Sequence, residues 1–150
     1  MTVKDLIVRH EGCKRWRYQD TDGHWTVGVG HNLDADPLDP DLYETDGSLS
    51  ATTIDEILDE DIALATTAVR QLTDPWYLNL SPARQAVLVD MAFTMGGAGL
   101  QTFQVFLGCV SAGNFTAAAD AMLASKWATD EAPARAQEDA MMMRTGAWPA

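Results

Sequence analysis

The sequence is short of several things, and each shortage removes a class of protein. Two cysteines in 150 residues, Cys13 and Cys109, are too few for a disulfide framework and lack metal-type spacing. They are expected to be reduced and non-catalytic, with a disulfide between them left open. Apolar runs are short, "AVLV" at 86–89 being typical. That is far below the roughly 20 residues needed to cross a bilayer, so no membrane insertion is expected. Basic residues are scarce, 10 against 22 acids for a net charge of −12, which repels nucleic acid and anionic lipid. The start, "MTVKDLIVRHEG", has neither a basic leader with a long apolar run nor a small-residue cleavage site. Synthesis in the cytoplasm without a signal peptide is the expectation. No internal repeat or low-complexity segment is visible. A chain of this length can bury about two-thirds of its unfolded surface as one domain.

What is present begins with "TVKDLIVRHEG" (2–12), which reads as a short helix: Thr2 as N-cap, Asp5 three residues on, Leu6 and Ile7 on one face, and Gly12 as the stop. From Arg15 to Gly30, aromatic and β-branched residues alternate with polar ones around Thr21-Asp22-Gly23, a hairpin signal. Asp20 then ends one strand and Thr26 lies on the next. Thr53 and Glu56 form a capping-box pattern, and Ile54, Ile57, Leu58, Ile62, Ala65, Val69 and Leu72 recur at helical spacing. Asp61 falls on that apolar stripe, where a carboxylate is costly unless paired, and His31 is a candidate cation. Ser81-Pro82 opens "ARQAVLVDMAFTMGG", apolar nearly all round and so a central core helix. Further helical segments are expected around 103–111, 115–127 and 133–144, the last set between Pro133 and Gly146. The Met141-Met142-Met143 run and Trp76, Trp127 and Trp148 read as core. The fold class is α+β, mainly α. A small lobe at about 12–55 carries the hairpin, a connecting helix covers about 53–72, and 1–11 join 73–150 in a helical lobe.

Cleaving a glycosidic bond takes one carboxyl to protonate the leaving oxygen and a second to attack the sugar or activate water. Glu11 at a helix end and Asp20 across a hairpin are the right types to face one cleft. The Thr26 hydroxyl can hold a water between them, and Trp16, Tyr18 and Trp25 suit stacking on a sugar face. The blander alternative is that Glu11 pairs with an arginine, Asp20 starts a turn and Thr26 is a β-former. Spacing alone does not choose between these.

The surrounding block does. "HEGCKRWRYQDTDGHWTVGVGHNL" closely resembles the signature of the phage lysozymes of the T-even type, glycoside hydrolase family 24: E-G after the first helix, then Y-x-D-x-x-G and T-x-G-x-G-H. The resemblance continues through "DEDIALA", "MAFTMG", "FTAAADAMLASKW", "APARA" and "RTGAW". It implies a lysozyme-like two-lobe fold and a muramidase that cuts the β-1,4 bond between N-acetylmuramic acid and N-acetylglucosamine with inversion. Glu11 would be the general acid, Asp20 the base that activates water, and Thr26 the residue that positions it. Arg135 would pair with Glu11 and His31 with Asp61. Phe93 would line a cleft between the lobes, and Asp22, Gly30, Asn32 and Thr94 would join it in binding substrate. If the enzyme inverts, its two carboxyls lie roughly 6.5 to 9.5 Å apart.

The same resemblance implies no cofactor. Nor is a metal expected, because His10, His24 and His31 lack ligand spacing with partner Cys or Asp residues. The implied partner is the glycan strand of peptidoglycan, bound by a monomer. The implied setting is a phage or prophage endolysin, made in the host cytoplasm, that reaches the periplasmic wall through a holin-type membrane hole. Two departures stand out. The connection from His31 to Asp61 is short and acidic, which predicts that a small helix is lost or reduced there. Phe106 and Ala121 stand where the T-even members carry polar saccharide-contacting side chains. Two rival readings are a non-hydrolytic wall-binding module on the same fold and a glycosidase acting on chitin-type polymers.

Overall fold

The computed structural model describes residues Met1–Ala150. Helix α1, Val3–Glu11, starts with a reciprocal cap. The Thr2 hydroxyl oxygen accepts from the Asp5 backbone N–H at 3.2 Å, and the Asp5 carboxylate accepts from the Thr2 N–H at 2.8 Å. Leu6 and Ile7 are fully buried. Gly12, at φ 72°, ends the helix and leaves Glu11 as its last residue.

Strands β1 (Lys14–Gln19), β2 (Trp25–Gly28) and β3 (His31–Asn32) form an antiparallel sheet in the order β1-β2-β3. The turn is closed by the Gly23 N–H on the Asp20 carbonyl (3.0 Å) and the Asp20 N–H on the His24 carbonyl (2.9 Å). Gly23 takes φ 83°, the left-handed position such a turn needs. Tyr18 lies opposite Thr26 and Gln19 opposite Trp25, with an irregularity between Lys14 and Tyr18. Thr26 pairs in turn with Asn32 and Val27 with His31. The edge strand β1 is tied down at Arg15, whose carbonyl accepts from the Leu49 N–H. In the acidic connection that follows, the one helical turn is a 3₁₀ turn at Pro40–Leu42.

Helix α2 spans Ala51–Thr73. The expected start at Thr53 is two residues late: the Ser50 hydroxyl oxygen accepts from the Thr53 N–H at 3.1 Å, so Ser50 is the cap. Ile54, Leu58, Ala65 and Val69 form its buried stripe. Lys4 reaches across from α1 to Asp55 and Asp59, at 2.7 Å each.

The chain divides into two compact units, Thr2–Leu64 and Met1 with Ala65–Ala150. Helix α1 falls in the first unit, whereas the sequence grouping set 1–11 with 73–150, and the boundary lies within α2. In the second unit, α3 (Pro82–Gln101) is capped by Ser81 and interrupted at Gly96, at φ 74°. Its stretch from Ala86 to Ala92 is buried throughout, with Asp90 the one charged residue there. Helices α4 (Gln104–Ser111), α5 (Phe115–Leu123) and α6 (Pro133–Thr145) follow. Small residues line α5 and α6, and Ala118, Ala119, Ala136 and Ala140 are all buried. The segment expected to stay helical to 127 stops at Leu123, and Trp127–Glu131 winds into a π-helical turn instead. Met142 and Met143 are core, but Met141 is exposed, and Trp76 and Trp148 are half-exposed where Trp127 is buried. Met142 and Met143 lie on the part of α6 turned to the core, and Met141 lies on the part turned to solvent. No helix is long and apolar enough to cross a membrane.

Candidate active site

The hairpin brings several of the sequence-predicted residues into the first unit, and each is held by local geometry. Asp20 Oδ1 accepts two backbone N–H groups, from Asp22 and His24, both at 2.9 Å. This Asx-type clamp fixes the carboxyl at the turn while its second oxygen, Oδ2, makes no hydrogen bond. Asp22 thus serves Asp20 through its backbone, and its own side chain is exposed. Thr26 is 4 % exposed, and its hydroxyl donates to the His24 carbonyl at 3.0 Å. With its proton committed, the oxygen can still accept a hydrogen bond.

Glu11 is half-buried and seated on Gly30. A Cβ at position 30 would lie 2.7 Å from the Glu11 carboxyl carbon and 2.8 Å from its Oε2. Gly30 also takes φ 66°, where an L side chain is strained, and any Cβ there would push the Glu11 carboxyl from its seat. Tyr18 lies among these groups: burial first, then the charges of Glu11 and Asp20, push its phenol above the usual tyrosine range. That places its ring in the field of both carboxylates.

His31 is 4 % exposed with an acceptor on each ring nitrogen. Nδ1 lies 2.7 Å from Asp61 Oδ2, and Nε2 lies 2.8 Å from the Asp36 carbonyl oxygen. The hydrogen bond to Asp61 is the main cause that raises the His31 pKa, against the lowering effect of burial. His31, Asp36 and Asp61 are close enough to be considered as metal ligands. A metal requires a neutral imidazole, however, and this environment favours the charged one. The Asn32 side-chain oxygen accepts from the Asp34 and Ala35 N–H groups, leaving its NH₂ as a donor.

Phe93, Thr94 and Arg135 belong to the second unit. Phe93 is half-buried on α3, and the Thr94 hydroxyl donates to the Asp90 carbonyl at 3.0 Å. Arg135 forks onto Asp90, with Nε 2.8 Å from Oδ2 and Nη2 3.0 Å from Oδ1. Asp139, one turn further along α6, is fully buried. Burial, and next the charge of Asp90, push its carboxyl well above the usual range. Sequence reasoning missed this cluster, although the lone Asp90 inside "AVLVDMAF" was a signal of the same kind as Asp61. Phe106 is buried edge-on against Phe103, with ring centroids 6.4 Å apart, so this position packs the core.

A small antiparallel sheet in the first unit, joined by one long helix to an otherwise helical chain, defines the lysozyme-like α+β class. The chain belongs to the phage lysozyme family, whose profile matches residues 8–141. Its relatives include the probable T4-type lysozyme 1 of Dictyostelium discoideum, 24 % identical over 97 % of this chain and 95 % of that protein. The probable T4-type lysozyme 2 of the same organism is 25 % identical over the same shares. The pre-baseplate central spike protein Gp5 of Enterobacteria phage T4 is 25 % identical over 97 % of this chain and 28 % of Gp5. The family is one of glycoside hydrolases, peptidoglycan hydrolases of muramidase type.

Proposed function

We propose that this chain is an inverting N-acetylmuramidase that cuts the β-1,4 bond between N-acetylmuramic acid and N-acetylglucosamine in peptidoglycan. The observation that carries the reading is the state of Asp20 and Thr26. One carboxylate oxygen of Asp20 is clamped by two N–H groups with the other left open, and the Thr26 oxygen is confined to accepting. A water that donates one hydrogen to Thr26 Oγ1 and the other to Asp20 Oδ2 directs its lone pair at the anomeric carbon. Asp20 takes the proton as the water attacks, and Glu11 protonates the departing oxygen from the other face of the sugar.

In this reading Arg135 supports Glu11, and the His31–Asp61 pair anchors the sheet to α2. Asp22, Gly30, Asn32, Phe93 and Thr94 line the path of the glycan, bound by a monomer. The role is that of a phage or prophage endolysin, made in the host cytoplasm and admitted to the periplasmic wall by a holin. The acid assignment is tested with Glu11→Gln on purified sacculi and on permeabilised Gram-negative cells, with folding checked by circular dichroism. Reducing-end release is expected to fall by about 100-fold or more. NMR of the first wild-type product should show the α-anomer. A fully active Glu11→Gln variant removes Glu11 as the acid, and a first-formed β-anomer removes inversion.

A further inference from the structure

Tyr18 lies directly opposite Thr26 in the β1–β2 register. Directly opposed residues of an antiparallel pair put their side chains on the same face, with Cβ atoms about 5 Å apart. The phenol is therefore a neighbour of the Thr26 hydroxyl, and it also stands in the field of both Glu11 and Asp20. Tyr18 is half-buried, yet no group of the protein hydrogen-bonds its hydroxyl. One face of the ring is taken by Lys14, whose Nζ is 4.2 Å from the ring centroid, which denies that face to a stacked sugar. The hydroxyl is the part of the side chain left without a partner. Burial and two adjacent negative charges oppose its ionisation, so it keeps its proton and acts as a donor.

We propose that the Tyr18 hydroxyl donates a hydrogen bond to an oxygen of the sugar whose anomeric carbon is attacked, which makes Tyr18 a further substrate-binding residue of the reaction centre. The inference rests on the muramidase reading above. The other acceptors in reach are unsuited by their chemistry. The attacking water gives its hydrogens to Thr26 Oγ1 and Asp20 Oδ2, and a donor aimed at it would compete for the electrons that attack. Glu11 enters the reaction as an acid, and a hydrogen bond donated to it would favour its ionised form. Asp20 Oδ1 already accepts two backbone N–H groups. The sugar, by contrast, carries hydroxyl, ring and acetamido oxygens beside the bond that breaks. A phenol serves here because it adds a donor without adding charge. A cation in its place would pair with Glu11 or Asp20, and a third carboxylate would disturb the ionisation of both.

The test uses Tyr18→Phe, which keeps the ring under Lys14 and removes only the hydroxyl, with Tyr18→Leu as the variant that removes the ring as well. Reducing-end release from soluble glycan fragments prepared from sacculi is measured for both and for wild type. Affinity for the same fragments is measured by calorimetry in the Glu11→Gln background, where the ligand is not consumed. Tyr18→Phe is expected to lose about three- to tenfold in kcat/KM, the range one neutral hydrogen bond supplies, with the loss in KM and an unchanged Tm. The Glu11→Gln/Tyr18→Phe double variant should bind the fragments more weakly than Glu11→Gln by the same factor. A Phe variant equal to wild type beside an impaired Leu variant means that the ring alone serves, and it overturns this inference while the hydrolase reading stands. A Phe variant whose loss comes with a lower Tm and with unchanged affinity in the Glu11→Gln background overturns it too, because the hydroxyl then supports the fold. If wild type releases no reducing ends, the muramidase reading falls and this inference with it.

Discussion

His31 has an acceptor on each ring nitrogen, and only an imidazolium can donate to both. Its raised pKa is therefore a statement about stability. A histidine whose folded pKa exceeds its unfolded value, about 6.5, stabilises fully below that value, and the effect is lost as pH rises through the folded pKa. Replacing His31 by Asn is expected to cost about 3 kcal/mol in acid, as for a broken buried pair, and progressively less as the solution turns alkaline. Urea denaturation of both proteins across that range measures it, and a pH-independent difference would show that the pair acts by packing alone. The sequence signalled this contact because a carboxylate on an apolar stripe must be neutralised. The clamp on Asp20 is the turn start that the Asp-Thr-Asp-Gly run already offered, whereas the seat of Glu11 on Gly30 gave no such signal, since it depends on backbone geometry that single letters do not encode.

Among the elements, α3 and α6 are joined through buried charge: Arg135 of α6 forks onto Asp90 of α3, and Asp139 follows on the same face of α6. An acid whose pKa is raised on folding weakens the fold as pH climbs from its unfolded value, near 4, through its folded one. Asp139→Asn keeps the shape and cannot ionise. Its Tm is expected to gain on wild type as pH rises from about 4 to about 8, read by calorimetry. A deficit of the same size at every pH would mean that the carboxyl is needed as such. Element identities were legible wherever capping chemistry was strong, as at Thr2-Asp5, Ser81-Pro82 and Gly146. Boundaries were misread where two caps compete, as Ser50 does with Thr53, or where the helix changes pitch after Leu123. Periodicity marks a face but not the turn where that face stops being used.

For the whole molecule the dominant electrostatic fact is the net charge of −12. An anionic wall repels it at long range, and salt shortens that range from about 30 Å at 0.01 M to about 8 Å at 0.15 M. Lysis of permeabilised cells is accordingly expected to rise with added salt over this interval, and a monotonic fall from the lowest salt would refute the idea. Composition made the charge legible, and the boundary between the units passes through an unbroken helix, between Leu64 and Ala65. That position has a consequence for heredity. Modules joined by a loop can be spliced at the loop with little regard to length. Here an insertion or deletion of a single residue at the junction turns Ala65 and Val69 by about 100° away from the stripe begun by Ile54 and Leu58. Crossovers that keep the α2 register are the ones expected to preserve the fold, and the irregular segment at 33–50 is where a change of length is expected to cost least.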